Sequence, residues 1–292
     1  MGYYPNIPAF MTKDSRTKVC LIVPEYNKFY TDIIAGAQSY LNKKSVFLYV
    51  ACSQKNNESE EQIISDLSET GAQGIIISVF DKSTPYKTSL KHINKRIQVV
   101  LINNFDQELE ANKIVPDLYD GAYKAVNHMY SLGCKKIGLF IGTTNDPFYA
   151  EILSGYESAL NILGEEIYAD RIYISDFKQE DLSHGIDKLI GTHKKLDGLL
   201  VGDQLVAQKL IAMLRSMGIQ VPEDLLMVSF GDEHFSSYVS PTLSSISISG
   251  EKIGQQAAKM IYKKIREQEE QISTEITEAK LIIRGSSMRL RR

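Results

Sequence analysis

The side chains of this sequence that could do chemistry are carboxylates and aromatics rather than nucleophiles or metal ligands. Asp146 and Asp203 each stand just before a stretch with helical apolar spacing, and Asp232 ends the run Ser229-Phe230-Gly231-Asp232. A carboxylate in such a place can cap a helix by accepting a backbone N–H, or it can accept hydrogen bonds from a ligand. Both readings stand for Asp146 and Asp203, and Pro147 suits the first helical position after a cap at Asp146. Asp232 can equally support the loop after its strand. Phe29 and Tyr30 follow an apolar run closely, so their rings can meet the C–H groups of a ligand or simply fill a core. The five histidines (His92, His128, His184, His193, His234) show no metal-ligand spacing. No Gly-x-Ser-x-Gly elbow, phosphate-cradling glycine loop or acid–base pair is present. The chemistry expected is binding without catalysis, with no metal and no cofactor.

Those residues must be positioned by the elements around them, and the pattern of elements is regular. Short apolar runs recur at Val19–Val23, Val46–Val50, Ile75–Ile77, Val99–Ile102, Ile137–Ile141, Ile172–Ile174, Leu199–Val201 and Leu225–Val228. Runs that are continuous rather than alternating suit strands buried on both faces of a parallel sheet. Between them lie helical spacings: Ala122, Ala125, Val126, Met129, Leu132; Val206, Leu210, Met213, Leu214, Met217; and Ile253, Ala257, Met260, Ile261. Asp120 and Asp203 precede two of these stripes as N-caps, and Gly133, Gly164 and Gly218 follow helices as stops.

Strand–helix alternation implies right-handed crossovers and a doubly wound α/β architecture. Eight strands in two similar halves predict two parallel-sheet subdomains. Crossover strands join them, Ser240–Gly250 among these, with Lys280–Arg284 as a last strand. The expected division is a linker at 1–16, a first subdomain of 17–134 plus 247–270, and a second of 135–246 plus 271–292. A ligand cleft is then expected between the subdomains, at the carboxyl ends of the strands.

Composition narrows the function class. The formal charge is −3 over 292 residues, and the one basic block is Arg289-Leu290-Arg291-Arg292. A DNA-binding surface concentrates positive charge, so these residues alone do not read as a DNA-binding domain. No apolar run approaches the roughly 20 residues of a membrane helix, and no signal-peptide pattern opens the chain. Cys20, Cys52 and Cys134 read as buried free thiols of a reducing compartment, so a cytoplasmic location is expected.

Several segments, in order and at matching spacing across nearly the whole chain, resemble the LacI/GalR family of bacterial repressors. Gly2-Tyr3-Tyr4-Pro5-Asn6 resembles that family's entry to the hinge helix. Ile22-Val23-Pro24 with Asn27-Lys28-Phe29-Tyr30 resembles its first strand and cleft loop. Gly202-Asp203-Gln204, then Met217-Gly218-Ile219-Gln220-Val221-Pro222-Glu223-Asp224 and Ser229-Phe230-Gly231-Asp232, resemble its most recognisable run. Pro241-Thr242-Leu243-Ser244-Ser245-Ile246 and Leu281-Ile282-Ile283-Arg284-Gly285-Ser286 complete the set.

The resemblance implies a periplasmic-binding-protein type I core that forms a homodimer. It implies a small-molecule effector in the cleft, bound by Asn27, Phe29, Tyr30, Asp120, Asp146, Phe148, Asp203 and Asp232. It also implies operator DNA bound through a domain outside these residues. The architecture is shared with extracytoplasmic sugar-binding proteins and receptor sensing domains, which are the alternative reading.

The departures from the family are coherent. Its ligand-gripping arginine falls at Ile152, the first aspartate of its Gly-Phe-Asp-Asp motif at Gly231, its crossing-strand polar group near Ile248, and the asparagine before Asp203 at Gly202. An unpaired buried arginine or aspartate is costly, so the two tend to go together. An ordinary monosaccharide held by the family's usual grip is therefore not expected. In the linker, the leucine that wedges into the minor groove corresponds to Thr12, with Phe10 in place of an arginine and Pro8 within the segment, where it weakens a helix.

Overall fold

The structure is a computed structural model, and it describes residues 17–67, 70–78, 97–102, 111–191, 196–231, 234–268 and 271–288. The linker, with Pro8, Phe10 and Thr12, lies outside the described residues, as does Asp232. The chain divides into two units, 1–115 with 249–277 and 116–248 with 278–292.

The first unit carries β1 (Lys18–Val23), α1 (Lys28–Asn42), β2 (Phe47–Cys52), α2 (Asn57–Leu67), β3 (Gly74–Ser78), β4 (Gln98–Ile102) and β5 (Asn112–Pro116). The chain returns to it later as α7 (Gly250–Tyr262) and β11 (Thr274–Thr277). Its sheet has the order β11-β5-β4-β3-β1-β2. The second unit carries α3 (Leu118–Ser131), β6 (Ile137–Ile141), α4 (Pro147–Ile162), β7 (Ile172–Ile174), α5 (Gln179–Gly191), β8 (Gly198–Val201), α6 (Gln204–Ser216), β9 (Leu226–Phe230), β10 (Ser244–Ser247) and β12 (Lys280–Ile282). Its sheet has the order β12-β10-β9-β8-β6-β7.

Strands β1 through β5 pair in parallel, as do β6 through β10, and β12 joins β10 antiparallel. All residues of β1, β3, β6, β8 and β9 are buried, which is why their sequences are apolar without alternation. Burying each large aliphatic side chain, such as Ile75, Ile76 and Ile77, contributes about 1.5–3 kcal/mol. The α/β reading and all eight predicted strands hold.

Three expectations are corrected. The first crossing falls after Val115, not after residue 134. Helix α3 packs its buried face (Leu118, Ala122, Ala125, Val126, Met129) with Ile137, Leu139, Ile152 and Tyr156 of the second unit. Its periodicity shows which face is buried but not which sheet that face meets. Likewise the segment 271–277 stays with the first unit, because β11 extends its sheet beside β5. Finally, Asp117 rather than Asp120 caps α3: its side chain accepts the Asp120 N–H at 3.1 Å. The caps at Asp203 and Asp146 and the left-handed glycine stops at 133, 164 and 218 are as expected.

Candidate functional site

Both sheets share one strand order, 2-1-3-4-5 in each unit's own sequence of strands, and it fixes where a ligand can sit. In such a sheet the connections leave in opposite directions from the first and third strands, opening a crevice at their carboxyl ends. In the first unit that point lies between the ends of β1 and β3, and in the second between β6 and β8.

At the first of these points the chain leaves β1 through Pro24 and turns into α1. Asn27 caps the helix, its Oδ1 accepting the Tyr30 N–H at 3.0 Å, while its Nδ2 donates to Glu25 at 3.0 Å. The cap holds the first helical turn so that Phe29 and Tyr30, half-buried, meet edge to face at 5.4 Å. The Tyr30 hydroxyl lies 3.5 Å from Ser78 Oγ, the last residue of β3. A tyrosine thus bridges the two strand ends that define the switch point. Flanking charges are neutralised locally, by Lys55–Glu25 at 3.0 Å and Lys28–Asp32 at 2.5 Å.

The second unit places aromatics at the same topological position. Asp146 accepts the Phe148 N–H at 2.9 Å, starting α4 directly after β6. The Tyr149 ring then lies over Gly142 and Gly202, the residues that follow β6 and β8, so tightly that a Cβ at either would press into it. Tyr149 meets Phe148 at 5.2 Å and Phe177 at 5.7 Å, and Phe148 meets Phe230 at 6.1 Å. The result is a continuous aromatic wall. Asp203 sits at its margin, one oxygen accepting the Val206 N–H at 2.9 Å, and Gln204 is buried beside Gly231.

The departures from the sugar-binding pattern acquire physical reasons here. Ile152 is fully buried in the core of the second unit. A Cβ at Gly202 would stand 3.0 Å from both Ile141 and Tyr149, so an asparagine there would have to push one of these side chains aside. Gly231 adopts φ of +93°, a left-handed conformation that glycine accepts readily.

The structure therefore brings Phe29, Tyr30 and Asn27 to the switch point of the first unit, and Phe148, Asp146 and Asp203 to that of the second. Asp120 is not placed there; its carboxylate pairs with Lys124 at 2.6 Å, and that hydrogen bond raises the Lys124 pKa. Asp232 lies outside the described residues.

Sequence reading missed Tyr149 and Phe177. Phe177 has φ of +63°, a strained value for an aromatic residue. Its turn is held by Asp181, which accepts from the Tyr173 hydroxyl at 2.6 Å, Ser175 Oγ at 2.6 Å and the Asp176 N–H at 3.0 Å. The hydrogen bonds from Ser175 and Tyr173 hold the Asp181 carboxyl below its usual range. The available signal was the polar Ser175-Asp176-Phe177-Lys178 directly after a strand.

Among the described residues no group of histidine, cysteine and carboxylate side chains could hold a metal, and no helix is long and apolar enough to cross a membrane. The three cysteines are free, and burial pushes the Cys20 thiol up to about 12, which keeps it protonated and inert.

Comparison with known proteins agrees with this geometry. Residues 126–287 match the family described as the periplasmic binding protein-like domain. The chain is 28% identical to the HTH-type transcriptional regulator RegA of Clostridium saccharobutylicum, over 99% of this chain and 87% of the relative. It is 25% identical to the HTH-type transcriptional repressor CytR of Escherichia coli K12, over 99% of this chain and 85% of the relative. The fold superposes on the transcription regulator CcpA of Lactococcus lactis with a TM-score of 0.82 at 23% identity, covering 93% of this chain and 99% of that one. The chain belongs to the periplasmic binding protein-like domain family, and the relatives it resembles are named as transcriptional regulators.

Proposed function

We propose that this chain is the sensing and dimerisation core of a cytoplasmic LacI-type regulator, in which a small effector alters affinity for operator DNA. The observation that carries the reading is the repeated placement of a tyrosine at the switch point of each sheet, Tyr30 against Ser78 and Tyr149 over Gly142 and Gly202. Phe29, Phe148 and Phe177 widen these aromatic faces, and Asn27, Asp146 and Asp203 supply oxygens at their margins. The relatives are named as helix-turn-helix regulators, so DNA reading by such a domain is proposed for the whole protein. Coupling between effector and operator of about 1–3 kcal/mol changes operator affinity roughly 5–150-fold.

The effector we propose is less polar than a monosaccharide. Faces of Phe and Tyr with Ile152 in the core suit a planar or apolar ring that stacks, with a few donors for Asp203, rather than a polyol gripped by a bidentate arginine. A second copy of the chain is the proposed partner. The edge strand β2 (Phe47-Leu48-Tyr49-Val50-Ala51-Cys52) has no fully buried residue, with Phe47 and Val50 exposed.

The reading is tested by thermal shift against hexoses, sugar phosphates, nucleobases, nucleosides and acidic metabolites. A stacking compound at about 100 times its Kd adds about 2.7 kcal/mol to stability. Tyr149→Ala and Tyr30→Ala should each abolish that shift. Strong stabilisation by a neutral hexose would defeat the argument from Ile152, and indifference to both substitutions would move the site elsewhere.

A further inference from the structure

The first unit assembles a cationic edge that the linear sequence does not show. Helices α1 and α7 lie parallel and in contact along their length. A Cβ on Gly250 would meet the Phe29 carbonyl, one on Gly254 would meet the Ala37 amide, and the Tyr40 and Tyr262 rings stand 6.3 Å apart. Their C-terminal ends therefore coincide, although more than 200 residues of chain separate them. Helix α1 runs out into Lys43 and Lys44, with Lys44 Nζ 5.1 Å from the centre of the Tyr262 ring. Helix α7 carries Lys259 in its last turn and continues as a π-helical turn, Lys263–Glu267, that bears Lys264 and Arg266.

This end lies at the amino-terminal edge of the sheet, opposite the switch point. The Phe47 N–H donates to the Thr17 carbonyl at 2.8 Å, and Gly74, which opens β3, packs against Ile261 and Ile265. Thr17 and Lys18, the first described residues, stand at the same edge. The helix dipole favours cations at each C-terminus. It gives no reason for two such ends to meet beside Thr17 and Lys18.

The contrast within the unit points to a partner. At the switch-point end Lys28 and Lys55 are paired with Asp32 and Glu25. At the opposite edge Lys43, Lys44, Lys259 and Arg266 carry no ion pair among the described residues, although Glu267 shares their turn. We infer that this edge docks on the phosphate backbone of duplex DNA, adding a sequence-independent contact to whatever reads the operator. The inference rests on the regulator reading, because the edge adjoins Thr17, the residue through which any DNA-reading segment upstream would be joined to this unit. Lysines suit this role as point charges that displace counterions from phosphates without reading bases.

The test is fluorescence anisotropy of this chain with a labelled 24-base-pair duplex of mixed sequence, titrated at low and moderate salt. Weak, salt-dependent binding is expected. K43Q/K44Q should weaken it about tenfold at low salt and flatten the dependence of log K on log salt by about two. K209Q/K252Q, which removes equal charge elsewhere, should do neither. Thermal melting of each variant separates lost binding from lost folding. Absence of binding, equal losses from both lysine pairs, or polyglutamate binding as tight as the duplex would each overturn the inference. A chain that senses its effector but whose duplex binding ignores Lys43 and Lys44 refutes this edge and leaves the regulator reading intact. A chain that binds duplex through the edge but never responds to any effector does the reverse.

Discussion

The two units repeat one strand order and share little chemistry at it. In the first, the switch point is a tyrosine–serine bridge ringed by ion pairs; in the second, it is a wall of four aromatics backed by a buried core. Their stabilisation differs too. The first unit relies on a helix seam, α1 against α7, so close that glycines stand where backbones touch. The second has a comparable seam at Gly155 against Tyr119, and adds a hydrogen-bonded stitch where the returning chain meets its sheet. There Ser286 Oγ donates to the Met227 carbonyl at 2.7 Å and accepts the Ser244 N–H at 2.8 Å, while Arg284 reaches the Leu243 carbonyl at 2.8 Å. Topology sets where a ligand can sit, and local side chains decide what it can be.

The largest effect that would break this comparison comes from the seam of the first unit. A side chain at Gly36 would enter the space of the Glu251 backbone, which cannot move as the end of a flexible side chain can. Gly36→Val should therefore destabilise the first unit by about 3 kcal/mol. Urea denaturation followed by hydrogen exchange in each unit is the measurement. Loss of protection in α1 and α7 ahead of α3 and α4 is expected, and uniform loss would show that the two units unfold as one.

The stitch of the second unit is the next largest. Ser286→Ala removes one hydroxyl and leaves two buried backbone groups, Met227 C=O and Ser244 N–H, without that partner. A loss of about 2 kcal/mol is expected, visible as a lower urea midpoint with exchange accelerating in β9 and β10. An equal acceleration in β1 and β3 would contradict the assignment of the stitch to the second unit alone.

Much of this was legible in the residues and some was not, for identifiable reasons. Strands such as Ile75–Ile77 and Ile137–Ile141 announce themselves because burial on both faces demands unbroken apolar runs. Strand β5 begins with Asn112-Lys113 and β11 reads Thr-Glu-Ile-Thr, so neither carries that signature, and both escaped. The ownership of α3 escaped because a helical stripe is the same whichever sheet it covers. At the site, Asp146 and Asp203 were legible as caps, and Phe29 and Tyr30 as aromatics after the first strand. Tyr149 was not, since its importance depends on Gly142 and Gly202, which come together only when β6 and β8 pair. Asp120 misled because Asp117 and Asp120 both precede the same apolar stripe, and only the backbone decides which one caps it.

The smallest effect sharpens the contrast through pH. His128, half-buried on α3, has its Nε2 2.9 Å from Ser287 Oγ. The Ser287 hydroxyl donates to Ser244 Oγ at 2.7 Å, so Nε2 must be the donor to Ser287 and the ring can be neutral. Burial lowers the His128 pKa below its ordinary value, with the Ser287 contact opposing it. The sign follows from linkage: as pH falls through the unfolded value of about 6.5, the unfolded chain takes up a proton that the folded chain resists, and stability declines until the lower folded pKa is reached. His128→Gln places an amide N–H donor near the Nε2 position for Ser287 but cannot titrate, so it should flatten this decline in the second unit while leaving the pH dependence of the first unchanged. Urea midpoints at pH 7.5 and 5.5 with unit-resolved exchange measure it. A wild-type protein more stable at the lower pH, or a variant that keeps the full decline, would remove His128 from the stitch's energetics and leave the serine–arginine network as its whole basis.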